Sequence, residues 1–377
     1  MSRLISYIGV VTALVVGTFI IAVSDSITTF QTPPAITYTA SSTISVLPVV
    51  ETEKTEATTS VQAQPTDVTK KKSTPPAPAP VVLSPIEKIA TSIKTALSPS
   101  ESSSLDASAS LLRAALVNII CYAPAGSRLR SISGSGVIVD AKGIILTNAH
   151  IAQNFLLADR NVSCTIRAGS PAIDKYKASL IYIPSEWVNA NADILTEANP
   201  SGTGEYDFAF LAVSKSTTRD ELTSSFPSIP LATSPSNTGT PVVIASYGAQ
   251  FLESSQIQSS LFPTVVFGSV KNVFTFASTT IDVLALGGSV AAQEGSSGGG
   301  VADGKGELVG TITTSTTKGT TDTRKLDAIT ASYIRAAYAS ETGSALDFLL
   351  VKPTSASVAD FAPQIPVLEA ILTAQLQ

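Results

Sequence analysis

The chain has 377 residues, a formal net charge of −5, 44% hydrophobic residues and only 14% charged ones. That length allows two or three domains at roughly 150 residues each, and a slightly acidic balance with no basic cluster beyond Lys70, Lys71 and Lys72 argues against nucleic acid as the main partner. One histidine and two cysteines exclude multi-histidine and four-cysteine metal sites, c-type haem and iron–sulfur ligation, so no metal and no cofactor is expected.

Residues Leu4 to Ser24 carry no charge and are dominated by Ile, Val, Leu and Phe. As a helix this run is about 31 Å long, enough to cross a hydrocarbon core of about 30 Å. Arg3 precedes it, Asp25 follows, and the next basic residue is Lys54. The positive-inside bias predicts a single-pass anchor over 1–24, with a cytoplasmic N-terminus and the rest extracytoplasmic. Ala22-Val23-Ser24 also resembles a small-residue cleavage site, and cleavage there predicts a secreted protein instead.

From Ser26 to Leu83 the chain is rich in Thr, Ser, Pro, Ala, Val and Gln. Nine of the 22 prolines fall between Pro33 and Pro85, whereas no glycine occurs between Gly17 and Gly126. Proline without glycine favours extended, stiff chain, so residues 25–83 read as a disordered spacer. Ser84-Pro85 has the form of an N-cap and first helical residue, predicting a helical lead-in over 84–110.

Thereafter short β-rich runs prevail. They are Val117 to Tyr122 (with Leu111 to Asn118 readable equally as helix), Gly134 to Val139, Gly143 to Thr147, Val162 to Arg167, Ala178 to Ile183 and Phe208 to Val213. A second set follows at Pro241 to Ala245, Thr264 to Phe276, Thr280 to Leu286 and Leu308 to Thr314. Many short strands with glycine-rich turns predict an all-β sandwich or barrel over 111–335. Asp327 to Ala339 and Ser344 to Leu350 read as helical, leaving 336–377 as a C-terminal helix and tail.

Three segments carry chemistry. His150, the single histidine, ends a hairpin that turns at Ala141-Lys142-Gly143 and closes in Thr147-Asn148-Ala149-His150. Asp207 stands at the mouth of the apolar strand Phe208 to Val213. Ser297 lies in Glu294-Gly295-Ser296-Ser297-Gly298-Gly299-Gly300, ahead of the strand from Leu308. A serine hydroxyl is a poor nucleophile near neutral pH, so an imidazole must take its proton, and a buried carboxylate must fix the imidazole tautomer. Glycines beside the serine allow a tight turn whose N–H groups converge on one point.

In this order the three segments resemble the trypsin-like serine peptidases, most nearly the HtrA (Deg) protease domain. His150 matches Thr-Asn-x-His, Asp207 matches Asp-x-Ala-x-Leu and Ser297 matches Gly-x-Ser-Gly-Gly, over roughly residues 112 to 335. The resemblance implies a chymotrypsin-like fold of two six-stranded antiparallel β barrels with the active site between them. It implies His150, Asp207 and Ser297 as catalytic residues, with the N–H groups of Gly295 and Ser297 as an oxyanion hole. Asp193 is the rival acid, but no apolar strand follows it. Ser296 occupies a position where the family often has Asp or Asn. Ala291, six residues before the serine, would lie at the base of the primary pocket, and Thr313, Thr314 and Ser315 would form one wall and pair with extended substrate. A pocket without a buried charge should not take Arg or Lys, so cleavage after small or medium apolar residues is expected.

Cys121 and Cys164 lie on first-barrel strands, and both a disulfide and a pair of free thiols are open. The 55 residues after Asp322 are too few for the PDZ domain that HtrA proteins usually carry plus the expected helix. The expected function is a membrane-tethered serine endopeptidase acting on exported or unfolded proteins, with protein or peptide substrates and, by resemblance alone, a homotrimer as oligomer. The competing reading is a catalytically inactive protease-fold protein that binds peptides or belongs to the cell envelope.

Overall fold

The computed structural model describes residues 98–195, 202–276, 279–315 and 319–374. The expected anchor, the spacer and the predicted helix start at Ser84 lie outside the described residues. Among those described, no helix is long and apolar enough to cross a membrane.

The first described helix, α1 (Pro99–Ala115), begins at a capping box. Ser98 accepts from the N–H of Glu101, and Glu101 reaches back to the N–H of Ser98. These reciprocal bonds satisfy two donors that a helix start otherwise leaves unpaired. Leu105 and Leu112 bury the inner face of α1. At Leu116 the backbone turns extended, where Val117, Ile119 and Ile120 favour a strand. The stretch that reads both ways in sequence is therefore helix up to Ala115 and strand after it.

Six strands close the first barrel. They are β1 (Leu116–Tyr122), β2 (Ile132–Asp140), β3 (Ile144–Thr147), β4 (Ser163–Ala168), β5 (Ile173–Tyr182) and β6 (Ala209–Ser216), in the order β1-β2-β3-β6-β5-β4. Ile119, Val137, Ile145, Ile166 and Leu211 are fully buried within it. Cys121 and Cys164 are direct partners across β1 and β4 and form a disulfide.

The second half differs from the expected six-stranded barrel. It is a seven-stranded sheet, a half-barrel, made from β7 (Pro241–Ser246), β8 (Thr264–Ser269), β9 (Asn272–Phe274), β10 (Val283–Ala285), β11 (Gly300–Asp303), β12 (Leu308–Ser315) and β13 (Leu326–Thr330), in the order β8-β7-β11-β12-β13-β10-β9. The reason is a corner at Val270-Lys271. The N–H of Val270 goes to the carbonyl of Thr240, beside β7, while that of Lys271 goes to Ala285 on β10. The run Thr264 to Phe276, one strand in the sequence, thus supplies both edges of the sheet.

Two strands, β11 and β13, are absent from the sequence expectation. Asp327 to Thr330, read there as helix, pairs with β12 on one side and β10 on the other. The helix α2 (Ala331–Thr342) starts only after Thr330, whose side chain accepts from the N–H of Tyr333. Further helices at Leu346–Val351, Thr354–Phe361 and Ile365–Ala374 return to the first barrel, where Glu369 meets Arg160. Arg167 ties the halves together. It is 3% exposed and donates to the carbonyls of Ala172, Ile257 and Gln258.

The disulfide spans 43 residues of chain. Replacing both cysteines by alanine should lower the unfolding free energy by about 2–4 kcal/mol, because the unfolded chain regains loop freedom. Urea denaturation of the oxidised wild type and the double variant measures this, and an unchanged midpoint would mean that strand pairing alone fixes the barrel.

Candidate active site

Strand pairing brings His150 and Asp207 together. β3 pairs with β6 so that Thr147 faces Ala209. His150 follows Thr147 by three residues, in the short helix Ala149–Ala152, and Asp207 precedes Ala209 by two. Both therefore reach the same rim of the barrel.

The carboxylate of Asp207 is fully buried and satisfied on every side. Its Oδ2 lies 2.8 Å from Nδ1 of His150 and accepts the Thr313 hydroxyl at 2.7 Å. Its Oδ1 accepts the backbone N–H of His150 at 3.0 Å. The side-chain amide of Asn148 donates to its carbonyl at 2.8 Å. A buried carboxylate stays ionised only with such donors, and with Nδ1 engaged as donor the imidazole presents Nε2 as acceptor. Asp193, the rival acid, sits in the turn Ala192–Leu195, and the acid paired with His150 is Asp207.

Tyr206, just before Asp207, takes a left-handed φ of 56°. Its N–H donates to the Tyr333 hydroxyl at 3.0 Å, and burial pushes the Tyr333 phenol well above its ordinary pKa. Such a backbone conformation in a bulky residue persists only where its surroundings fix it.

Ser297 is half-buried in the turn that leads into β11. Gly295 and Gly298 have φ of 87° and 82°. At Gly298 a side chain is excluded twice, since a Cβ would lie 2.0 Å from the carbonyl oxygen of Ser135. The N–H of Ser296 donates to Gln293 and that of Gly298 to Ile312, whereas those of Gly295 and Ser297 donate to no group among the described residues. Ser296 is buried, with its hydroxyl bonded to that of Ser246.

Ser135, a β2 residue without a role in the sequence reading, clasps this turn. Its N–H donates to the Ser297 carbonyl at 2.8 Å, and its hydroxyl donates to the Gly295 carbonyl at 2.8 Å. The same hydroxyl accepts the N–H of Tyr247 at 2.9 Å. The run Gly134-Ser135-Gly136 was its only signal.

The expected specificity residues separate into three cases. Thr313 uses its hydroxyl on Asp207 rather than on a pocket wall. Thr314 and Ser315 continue β12 opposite Asp327 and Leu326. Ala291 is fully buried, and its neighbour Ala292 is held by an arginine. Arg324, 6% exposed, donates to the carbonyls of Ala292 and Gly319 at 2.9 and 3.0 Å and also bonds Gln250. No sequence pattern links positions 292 and 324; the meeting depends on tertiary packing.

With this geometry in place, comparison with known proteins defines the class. Residues 134–310 match the family model of the trypsin-like peptidase domain. That stretch is thus similar to a trypsin-like peptidase domain, and the fold around it is all-β and chymotrypsin-like, as the three motifs suggest. Similar solved structures include the serine endoprotease from Yersinia pestis, 19% identical, covering 66% of this chain and 67% of that one with a TM-score of 0.40. Another is the Rv3671c protease of M. tuberculosis in its active form, 19% identical, covering 63% and 84% with a TM-score of 0.39. No curated protein matches the chain.

Replacing Ser135 by alanine removes one acceptor and one donor from buried backbone groups, at about 1–3 kcal/mol each. The variant should unfold at lower denaturant, with faster amide exchange around Gly295 than around His150. Equal exchange changes at both places would mean that Ser135 does not hold the turn specifically.

Proposed function

We propose that the chain is a serine endopeptidase in which Ser297 attacks the scissile carbonyl. His150 takes the hydroxyl proton at Nε2 and later gives it to the leaving amine. Asp207 holds the imidazole in the required tautomer and stabilises the imidazolium that forms. The tetrahedral oxyanion is received by the N–H groups of Gly295 and Ser297, each such donor being worth about 10²–10³ in rate. No metal or cofactor enters this scheme.

The observation that carries the reading is the Asp207 carboxylate, which engages both Nδ1 and the N–H of His150. The glycine turn supports it, because the two N–H groups that the oxyanion needs are the two left without an internal acceptor. The apolar run of residues 4–24 and its flanking charges support an anchor that holds the peptidase outside the cytoplasm, where exported or unfolded proteins are its substrates.

Fluorophosphonate labelling followed by mass spectrometry tests the reading, since the reagent requires an activated serine. Wild type should carry the adduct on Ser297, and Ser297→Ala should carry none. His150→Ala should reduce peptide hydrolysis to residual levels, and Asp207→Asn should lower turnover by about 10⁴ through the wrong tautomer. Well-folded wild type that takes no label would exclude an assembled triad and favour a peptide-binding protein on this fold. Damage from Asp193→Asn instead of Asp207→Asn would mean that the acid is wrongly chosen.

A further inference from the structure

Asp327 is a buried carboxyl that the catalytic scheme does not use. It is 7% exposed, and among the described residues its carboxyl makes no hydrogen bond and no ion pair. Burial pushes its pKa up to about 6, although the exposed Lys325, just before its strand, draws it down. Burying an acid without donors is costly, and carboxyls are rarely found in that state.

Its place in the sheet gives the vacancy a meaning. Asp327 is the direct backbone partner of Thr314 across β12 and β13. Ile329, two residues on, shares the face of Asp327. A Cβ at Gly204 would lie 3.2 Å from Thr313 and 3.8 Å from Ile329, and Thr313 holds Asp207. Asp327 is therefore on the face of the sheet that carries the Asp207 site, beside the segment expected to pair with substrate.

An extended peptide alternates its side chains between two faces. If the residue before the scissile bond enters the primary pocket on one face, the second and fourth residues before the bond turn to the other, the face that carries Asp327. We propose that Asp327 is a specificity-determining residue whose carboxylate receives a Lys or Arg side chain at the second or fourth position before the scissile bond. The proposal rests on the peptidase reading and adds a substrate class to it. A substrate cation supplies the donor that Asp327 lacks, while Lys325, the charged group that acts on Asp327, is its competitor.

The test uses the full-length protein in detergent, with two randomised peptide pools that differ only in Lys or norleucine at the second position, and a second pair for the fourth. The ratio of kcat/KM values is the readout, because any pH dependence of the chemical step common to both pools cancels in it. At about pH 8 the Lys pool should be cleaved at least about tenfold better at one of the two positions. The preference should vanish in Asp327→Asn, increase in Lys325→Ala, and fall towards unity as the wild type is taken from about pH 8 to about pH 5 and the carboxyl protonates. Asp327→Asn should also be more stable than wild type above pH 6, with the gain lost below pH 4, since a raised carboxyl pKa penalises only the ionised fold.

Equal cleavage of the pools by protein that takes the fluorophosphonate on Ser297 would overturn the subsite and leave the peptidase standing. Absence of both label and cleavage would overturn the peptidase reading, and the subsite with it. If Asp327→Asn does not fold, the wild-type ratio decides, and one that is flat between the two pH values overturns the proposal.

Discussion

The arrangement depends on one small residue between two glycines. Ser135 belongs to the first barrel, yet its N–H and hydroxyl hold the carbonyls of Ser297 and Gly295 in the second half. Through Tyr247 it also fixes the end of β7. Its own carbonyl accepts the Thr147 hydroxyl, one strand away and three residues before His150. The serine turn and the histidine are thus positioned from the same strand. Neither flanking glycine has room for a side chain, since a Cβ at Gly134 would meet Ile151 and one at Gly136 would meet Ile145.

Asp207 plays the corresponding part for the histidine. A fully buried carboxylate is tolerated because Thr313, the His150 backbone and the His150 ring donate to it, and this requirement sets the ring's orientation. Donors come from β12 of the second half as well as from the first barrel. Separation of the halves would leave the charge under-satisfied, so the electrostatics of the site and the packing of the fold are coupled. Arg167 does the same on another face, where a buried guanidinium of the first barrel satisfies carbonyls from the segment after β7.

Much of this was legible in the sequence because the residues stand next to their own structural signals. His150 ends a hairpin, Asp207 opens an apolar strand and Ser297 sits among glycines that a tight turn requires. The first barrel was readable for the same reason, since its strands alternate with turn residues. What was not readable depends on partners far apart in the chain. β11 has four residues and follows a glycine run that resembles a loop, and β13 merges with an alanine-rich helix. A closed second barrel was expected from the family resemblance, and the corner at Val270-Lys271 carries no glycine or proline that would have marked the departure. Arg324 beside Ala292 and Asp327 opposite Thr314 are visible only once the register of β12 and β13 is known.

That register is itself shifted by one residue. Between Ile312 and Thr314, β12 gains a residue relative to β13, so Ile312 faces Ala328 while Thr314 faces Asp327. The extra residue is Thr313, whose hydroxyl holds Asp207. A bulge re-aims side chains without ending the strand. Here it lets one residue serve the buried carboxylate while the next returns to the ladder opposite Asp327. The support of the buried Asp207 carboxylate and the alignment of the strand opposite Asp327 therefore have a single structural origin.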